Sequence, residues 1–374
     1  MTAGNRARIH MLLEAMECLG VDFHFIFITW ESGDKDAMQK RWGEHRVTVV
    51  SHQQRPKHAA FWRRVRNFTL RHLGLERYHP LEVDCYRSPE LAQAVMHVAD
   101  DFQPTCVMVE YVFTSWMLEL FPPTVRKLID TLDKFAHRYK QYLKAGVQTG
   151  WFSTTRRQER KGLRRADCIV AIQAEEADYF RRLTNRRVVT VGHIARIVPA
   201  GESTTDIPTV LFLGPNSPAN RDAVSYCMKE IWPIIRSQLP EARLLIAGGV
   251  CQSVLDTGDG IEVCGHVPDA ASLYAKAHVV LNPVRVGTGL KIKSIEALSH
   301  GRPLVTTPTG ALGIERGRDS AYLVGQDAKS LAERCLILLR DPQKRRSLAS
   351  EAIRFVKDYN QRNYQALKLA LGCQ

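Results

Sequence analysis

Gly287, Thr288 and Gly289 lead directly into Leu290, Lys291, Ile292 and Lys293, and Glu296 follows one helical turn after Lys293. These residue types in this order suit a phosphorylated ligand. Glycines let backbone approach an anion closely, and the N–H groups of Leu290 to Ile292 fall where a helix's first turn leaves its donors unpaired. Lys293 adds a mobile cation. Glu296, on the same helical face, can accept two hydroxyl hydrogen bonds of the kind a ribose offers. A nucleoside diphosphate fits the set. Glycines ahead of a helix are ordinarily turn residues, so the argument rests on context: an apolar strand over 278–283 precedes the loop, and an apolar-faced helix ending at Gly301 follows it.

Further landmarks surround this loop in a fixed order. They are Val210-Leu-Phe-Leu-Gly214, Pro218-Ala-Asn220 with Asp222 and Val224, Ile231-Trp-Pro233, Leu244 to Gly249, Gly265-His266-Val267, and Gly301-Arg-Pro-Leu-Val-Thr-Thr307. Residues 209–358 thereby resemble the donor-binding half of retaining, family 4 type glycosyltransferases of the GT-B fold, in the branch with a Gly-Ser/Thr-Gly loop followed by Lys and Glu. The resemblance implies two Rossmann-like, doubly wound parallel-sheet domains facing across a cleft. It implies a nucleotide-sugar co-substrate, with no further cofactor and no metal. The donor would be held by Gly214, Asn220, Gly249, Gly265, His266, Val267, Gly287, Thr288, Gly289, Leu290, Lys293 and Glu296. Lys293 and the loop backbone would stabilise the departing diphosphate, Glu296 the ribose, and the base would lie on the backbone of 265–267. Relatives usually carry a second glutamate eight positions before Glu296; here Thr288 occupies that place.

The first half of the chain is the expected acceptor side. Gly4, Asn5 and Arg8 match the family's glycine-containing first loop with only three residues ahead of Gly4, so the strand that leads this sheet in relatives is expected either to lie upstream of this sequence or to be replaced by another element. Glu110 follows an apolar strand, where ligands gather in open parallel sheets. Asp130 and Asp133 follow the next strand and resemble the family's acidic loop, with Asp133 the catalytic candidate; the histidine common beside it falls on Leu132. Each acid has a plainer reading, since an Asp after a strand commonly caps the next helix.

Elements able to hold these residues alternate down the chain, as in parallel sheets covered by helices. Strands are expected at 23–28, 47–50, 106–109, 127–130 and 168–171, then at 209–214, 243–248, 261–264, 278–283, 303–307 and 321–324. Helices are expected at 220–239, 269–276, 290–300, 327–340 and 343–358. With 374 residues, two cores are expected. The acceptor domain would span 1–195, completed by a helix at 359–374, and the nucleotide-sugar domain 205–358, joined by a linker over 191–208. His193 would sit at that hinge, and His300 would end the helix before Gly301.

Net charge is +13, and the first 200 residues hold 31 Lys and Arg against 22 Asp and Glu. One basic cluster, 55–77, places Phe61, Val65 and Phe68 on one helical face beside arginines and suits an anionic membrane surface, or a solvated helix packed on its own domain. A second run comprises Arg156, Arg157, Arg160, Lys161, Arg164 and Arg165. No recognition motif accompanies the charge, so nucleic acid is not an expected partner. Nine scattered cysteines without a Cys-x-x-Cys pair suggest neither a disulfide framework nor zinc. With no run of ~20 apolar residues, the expected place is the cytosol, including the inner membrane face. The expected activity is transfer of a sugar to a hydroxyl on a glycan or lipid-linked precursor of a surface polysaccharide. The alternatives are a catalytically silent nucleotide-binding or scaffolding protein and a nucleotide-sugar epimerase.

Overall fold

The computed structural model describes residues 4–29, 34–51, 81–138, 140, 152–199, 201–255, 257–267, 270–287 and 289–373. The basic cluster 55–77 and Thr288 lie outside the described residues. Two compact units emerge, one comprising Met1–Leu12, Ile172–Glu175 and Thr190–Leu367, the other Leu13–Ala171, Glu176–Val189 and Lys368–Gln374. The partition differs from simple halves: the start of the first helix and residues 359–367 group with the unit that holds the glycine loop.

In chain order the first elements are α1 (Gly4–Cys18), β1 (Phe25–Ile28), α2 (Lys35–Trp42), β2 (Val47–Val50), α3 (Pro89–Phe102), β3 (Cys106–Glu110), β4 (Arg126–Asp130), α4 (Arg156–Leu163), β5 (Cys168–Ala171), α5 (Ala174–Leu183) and β6 (Arg187–Thr190). Sequence reasoning did not anticipate β6, which is short and begins on an exposed arginine. The sheet forms in two pieces, a parallel β1-β2 pair and a parallel β3-β4-β5-β6 sheet. Among the described residues no strand joins β1 to β3. All four β1 residues are only half-buried, whereas all four of β5 are fully buried. Helix α3 starts with Ser88 accepting from the Leu91 N–H and with Pro89 in the first turn, where a missing donor is harmless.

The remaining elements are β7 (Thr209–Leu213), α6 (Pro218–Tyr226), α7 (Trp232–Gln238), β8 (Arg243–Ala247), β9 (Ile261–Gly265), α8 (Ala271–Lys276), β10 (Val279–Asn282), α9 (Ile292–Ser299), β11 (Leu304–Thr306), β12 (Leu323–Val324), α10 (Ala328–Arg340) and α11 (Pro342–Leu371). All six expected strands form, each within two residues of its expected ends. A π-type turn over Cys227–Ile231 separates α6 from α7 in what reads as one helix, just before Pro233, which cannot donate to the preceding turn. Helix α11 runs 30 residues without the break expected near 358, because Tyr359, Leu367 and Ala370 continue its buried stripe. The six strands are parallel and ordered β12-β11-β10-β7-β8-β9. Successive strands build outward from β7 to one side and then return to its other side at β10. The crevice at the carboxyl ends of β7 and β10 is therefore the topological switch point, where open α/β sheets bind ligands. Every β7 residue is buried, as a strand covered on both faces requires.

Candidate donor site

Strand β7 ends at Gly214, and the chain turns through Pro215 into α6, capped by Ser217, whose hydroxyl accepts from the Asn220 N–H. The Asn220 amide folds back, donating to the Pro215 carbonyl at 3.0 Å. A Cβ on Gly214 would stand 3.0 Å from its Cγ, so glycine is what lets this asparagine sit against the strand end. Asn220 Oδ1 then accepts a 2.7 Å hydrogen bond from Lys293 Nζ. Two sequence candidates 73 residues apart thus meet across the β7/β10 crevice.

Lys293 lies in the first turn of α9, half-buried, with its ammonium 4.9 Å from the Phe212 ring centroid. No carboxylate pairs with it among the described residues. Burial, with a smaller push from Lys291, holds its pKa well below the usual lysine range, at about 7. Glu296, one turn later, has the opposite character: burial raises its pKa, and no described residue donates to its carboxylate. Nearby, Tyr274 is buried, its hydroxyl without a partner among the described residues, and its ring stacks on His300 with centroids 4.3 Å apart. Burial, and after it Glu296, raises the Tyr274 phenol. His300 terminates α9 as expected, with this stacking role added.

Helix α9 begins at Ile292, two residues later than expected, with Lys291 at its N-cap. The first-turn donors accordingly shift past Leu290 to Ile292 and Lys293, since the Ser294 N–H is already taken by the Lys291 carbonyl. Gly287 and Gly289 both adopt positive φ, 113° and 77°, which L side chains rarely tolerate. Lys291 Nζ donates to the Gly289 carbonyl at 2.7 Å, tying the loop to the helix start. This second lysine was missed in the sequence. Arg285 pairs with Asp222 at 2.8 Å and lies over the Tyr226 ring.

A chain of buried polar groups also escaped sequence reasoning. Asn282 Nδ2 donates to Ser294 Oγ at 2.7 Å, which donates to the Gly310 carbonyl at 2.8 Å. The Gly310 N–H donates to Thr307 Oγ1 at 2.9 Å, and the Thr307 hydroxyl to the Val284 carbonyl. Thr306 Oγ1 donates to the Asn282 carbonyl at 2.8 Å. This network fixes the first turn of α9 against the ends of β10 and β11.

The other donor candidates share the same sheet edge. A Cβ on Gly249 would stand 2.9 Å from the Asn216 N, so the two loops touch backbone to backbone. Gly265, at positive φ, accepts from the Gly248 N–H at 2.8 Å. His266 is exposed, Val267 half-buried against the core, and Leu290 buried.

The acceptor candidates divide differently. Gly4 and Asn5 start α1. Arg8 is fully buried and donates to the Gly192 carbonyl at 3.2 Å. The same turn receives Asn363, which accepts from the Gly192 N–H, and Asn360, which brackets Ala195. His193 is buried there, as a structural histidine would be. Glu110 and Asp130 are register partners at the ends of β3 and β4. Asp133 forms a 2.9 Å ion pair with Arg138 and accepts from the Lys134 N–H, so its carboxylate is engaged locally.

Residues 207–341 match the family model described as glycosyl transferases group 1. Comparison with curated proteins gives no match. Among solved structures, the chain is similar to the sucrose-phosphate synthase of Thermosynechococcus elongatus, with TM-score 0.67 and 18% identity over 99% of this chain and 92% of that one. It is similar to Staphylococcus aureus TarM, solved as a point mutant with fondaparinux, alpha-GlcNAc-glycerol and UDP, with TM-score 0.68 and 8% identity over 99% and 97%. Anabaena HepE, solved with UDP and glucose, gives TM-score 0.64 and 13% identity over 98% and 96%. The fold is GT-B.

Proposed function

We propose that this chain, a GT-B protein whose residues 207–341 match group 1 glycosyltransferases, transfers a sugar from a nucleotide-diphosphate sugar to a hydroxyl acceptor. The observation that carries the reading is the pairing of two unmet needs at the switch point. Among the described residues, a half-buried lysine has no carboxylate partner, and one helical turn away a carboxylate accepts no hydrogen bond. A nucleoside diphosphate meets both. The UDP in the HepE and TarM structures is consistent with such a ligand.

In the reaction, the bond from the anomeric carbon to the diphosphate oxygen breaks as the bond to the acceptor oxygen forms. Lys293 and the first-turn N–H groups of α9 hold the negative charge that develops on the leaving group. Glu296 accepts from the ribose hydroxyls and fixes the diphosphate over the helix start. The acceptor proton passes to an oxygen of the departing diphosphate on the same face of the sugar, which gives retention and needs no dedicated side-chain base or metal. The acceptor class is a glycan or lipid-linked precursor of a surface polysaccharide, taken by the unit that holds Glu110 and Asp130.

Incubation with anomerically pure, labelled nucleotide sugars and hydroxyl acceptors tests the reading. A glycoside of the donor's own anomeric configuration is expected; an inverted product would exclude retention. The engagement of Asp133 by Arg138 favours a second reading, a nucleotide-binding protein without transfer. Binding without turnover on any donor would select it.

A further inference from the structure

Six arginines line one surface cavity of about 720 Å³ formed by α4 and the end of α5: Arg156, Arg157, Arg160, Arg164, Arg181 and Arg182. Helix α4 buries Glu159, Gly162 and Leu163, so its arginines emerge on the opposite face, with 157, 160 and 164 spaced one turn apart. The basic run from 156 to 165 splits by role. Arg165 is buried in pairs with Asp84 and Glu119, and Lys161 pairs with Asp84. They explain part of the run by folding alone.

Arg156 lies over the Tyr179 ring, 6.0 Å from its centroid. Arg157, Arg160, Arg164 and Arg182 have no carboxylate partner among the described residues, and only Arg181 pairs, with Asp178 at 2.6 Å. Glu159, the carboxylate within α4, points away and accepts from the Phe135 and Ala136 N–H groups and the Tyr179 hydroxyl. Gathering like charges around a concavity costs free energy unless something of opposite sign enters it. The choice of guanidinium at all six cationic positions adds a chemical specification, because its planar fork binds phosphate oxygens in pairs where an ammonium acts as a point charge. Volume admits a ligand of nucleotide or headgroup size.

We propose that this arginine-lined cavity is a second anion site, separate in residues from the glycine loop, that binds a ligand carrying two or more phosphate groups. Phosphates of a soluble metabolite and of a lipid headgroup share this chemistry.

Two probes distinguish them: inorganic triphosphate, and phosphatidylcholine vesicles with or without cardiolipin, whose headgroup carries two phosphates. The full chain is used in a Lys291→Ala/Lys293→Ala background, so that the glycine loop does not contribute. A pocket variant, Arg157→Gln/Arg160→Gln/Arg164→Gln, is compared with a charge-matched control of exposed residues, Lys229→Gln/Arg243→Gln/Lys329→Gln, at physiological salt. Thermal unfolding confirms that both fold. The expected result is one triphosphate per chain with affinity reduced at least about tenfold in the pocket variant and retained in the control. Weak triphosphate binding with vesicle binding lost only in the pocket variant would support the site and assign the phosphate to lipid. No binding of either probe, or equal loss in the control, would overturn it, leaving only diffuse surface charge.

Discussion

Lys293 shows how a single residue divides between stability and function. Its folded-state pKa, about 7, lies below that of an unfolded lysine. The folded chain therefore binds fewer protons than the unfolded chain above pH ~7, and stability rises with pH toward ~10.5 as the penalty is relieved. Lys293→Met should raise denaturant stability, by more at pH ~6 than at pH ~9, while weakening nucleoside-diphosphate binding at least about tenfold. Loss of stability at the lower pH would contradict the assignment. Phosphate binding favours the charged form, so the wild type should take up protons on binding near pH ~8, read by calorimetry in buffers of differing ionisation enthalpy. The placement of Lys293 and Glu296 one turn apart on one helix was legible in the sequence because a helix fixes their spacing. Lys291 was missed because its role comes from curling back to the Gly289 carbonyl, which spacing does not show.

Elements position these groups through contacts between distant segments. Ser294→Ala would leave the Asn282 amide without its acceptor and the Gly310 carbonyl without its donor, at about 1–3 kcal/mol, measurable by urea unfolding. Gly214→Ala acts on function instead: the added methyl presses on Asn220, turning the partner of Lys293 away. Nucleotide affinity is expected to fall about tenfold with a smaller change in unfolding midpoint. If affinity is unchanged, Asn220 does not orient the lysine. All six strands of this sheet were readable as apolar runs between turn signals, since both faces are covered. The network from Asn282 to Thr307 was not, because hydrogen bonds between residues up to 24 apart leave no local period. Helix α11 was cut short for a related reason: the asparagines at 360 and 363, polar in sequence, serve the backbone at Ala195 and Gly192.

Across the whole molecule, the fold class was legible and the partition was not. The start of α1 and most of α11 belong to the compact unit with the six-stranded sheet, which a linear reading from 1 to 195 could not show. The other unit's sheet forms as two pieces among the described residues, with β1 half-buried. Among the described residues no helix is long and apolar enough to cross a membrane. Nucleotide alone should protect amides of 213–220 and 284–295 from hydrogen exchange and leave β3 to β6 unchanged, because every donor contact proposed lies in one unit. The most direct test of the central claim is calorimetric titration of the wild type and Glu296→Ala with UDP, GDP, ADP and dTDP sugars. Binding of one base class, abolished in Glu296→Ala, is the predicted result. Absence of binding by every nucleotide, or equal binding by the variant, would contradict it.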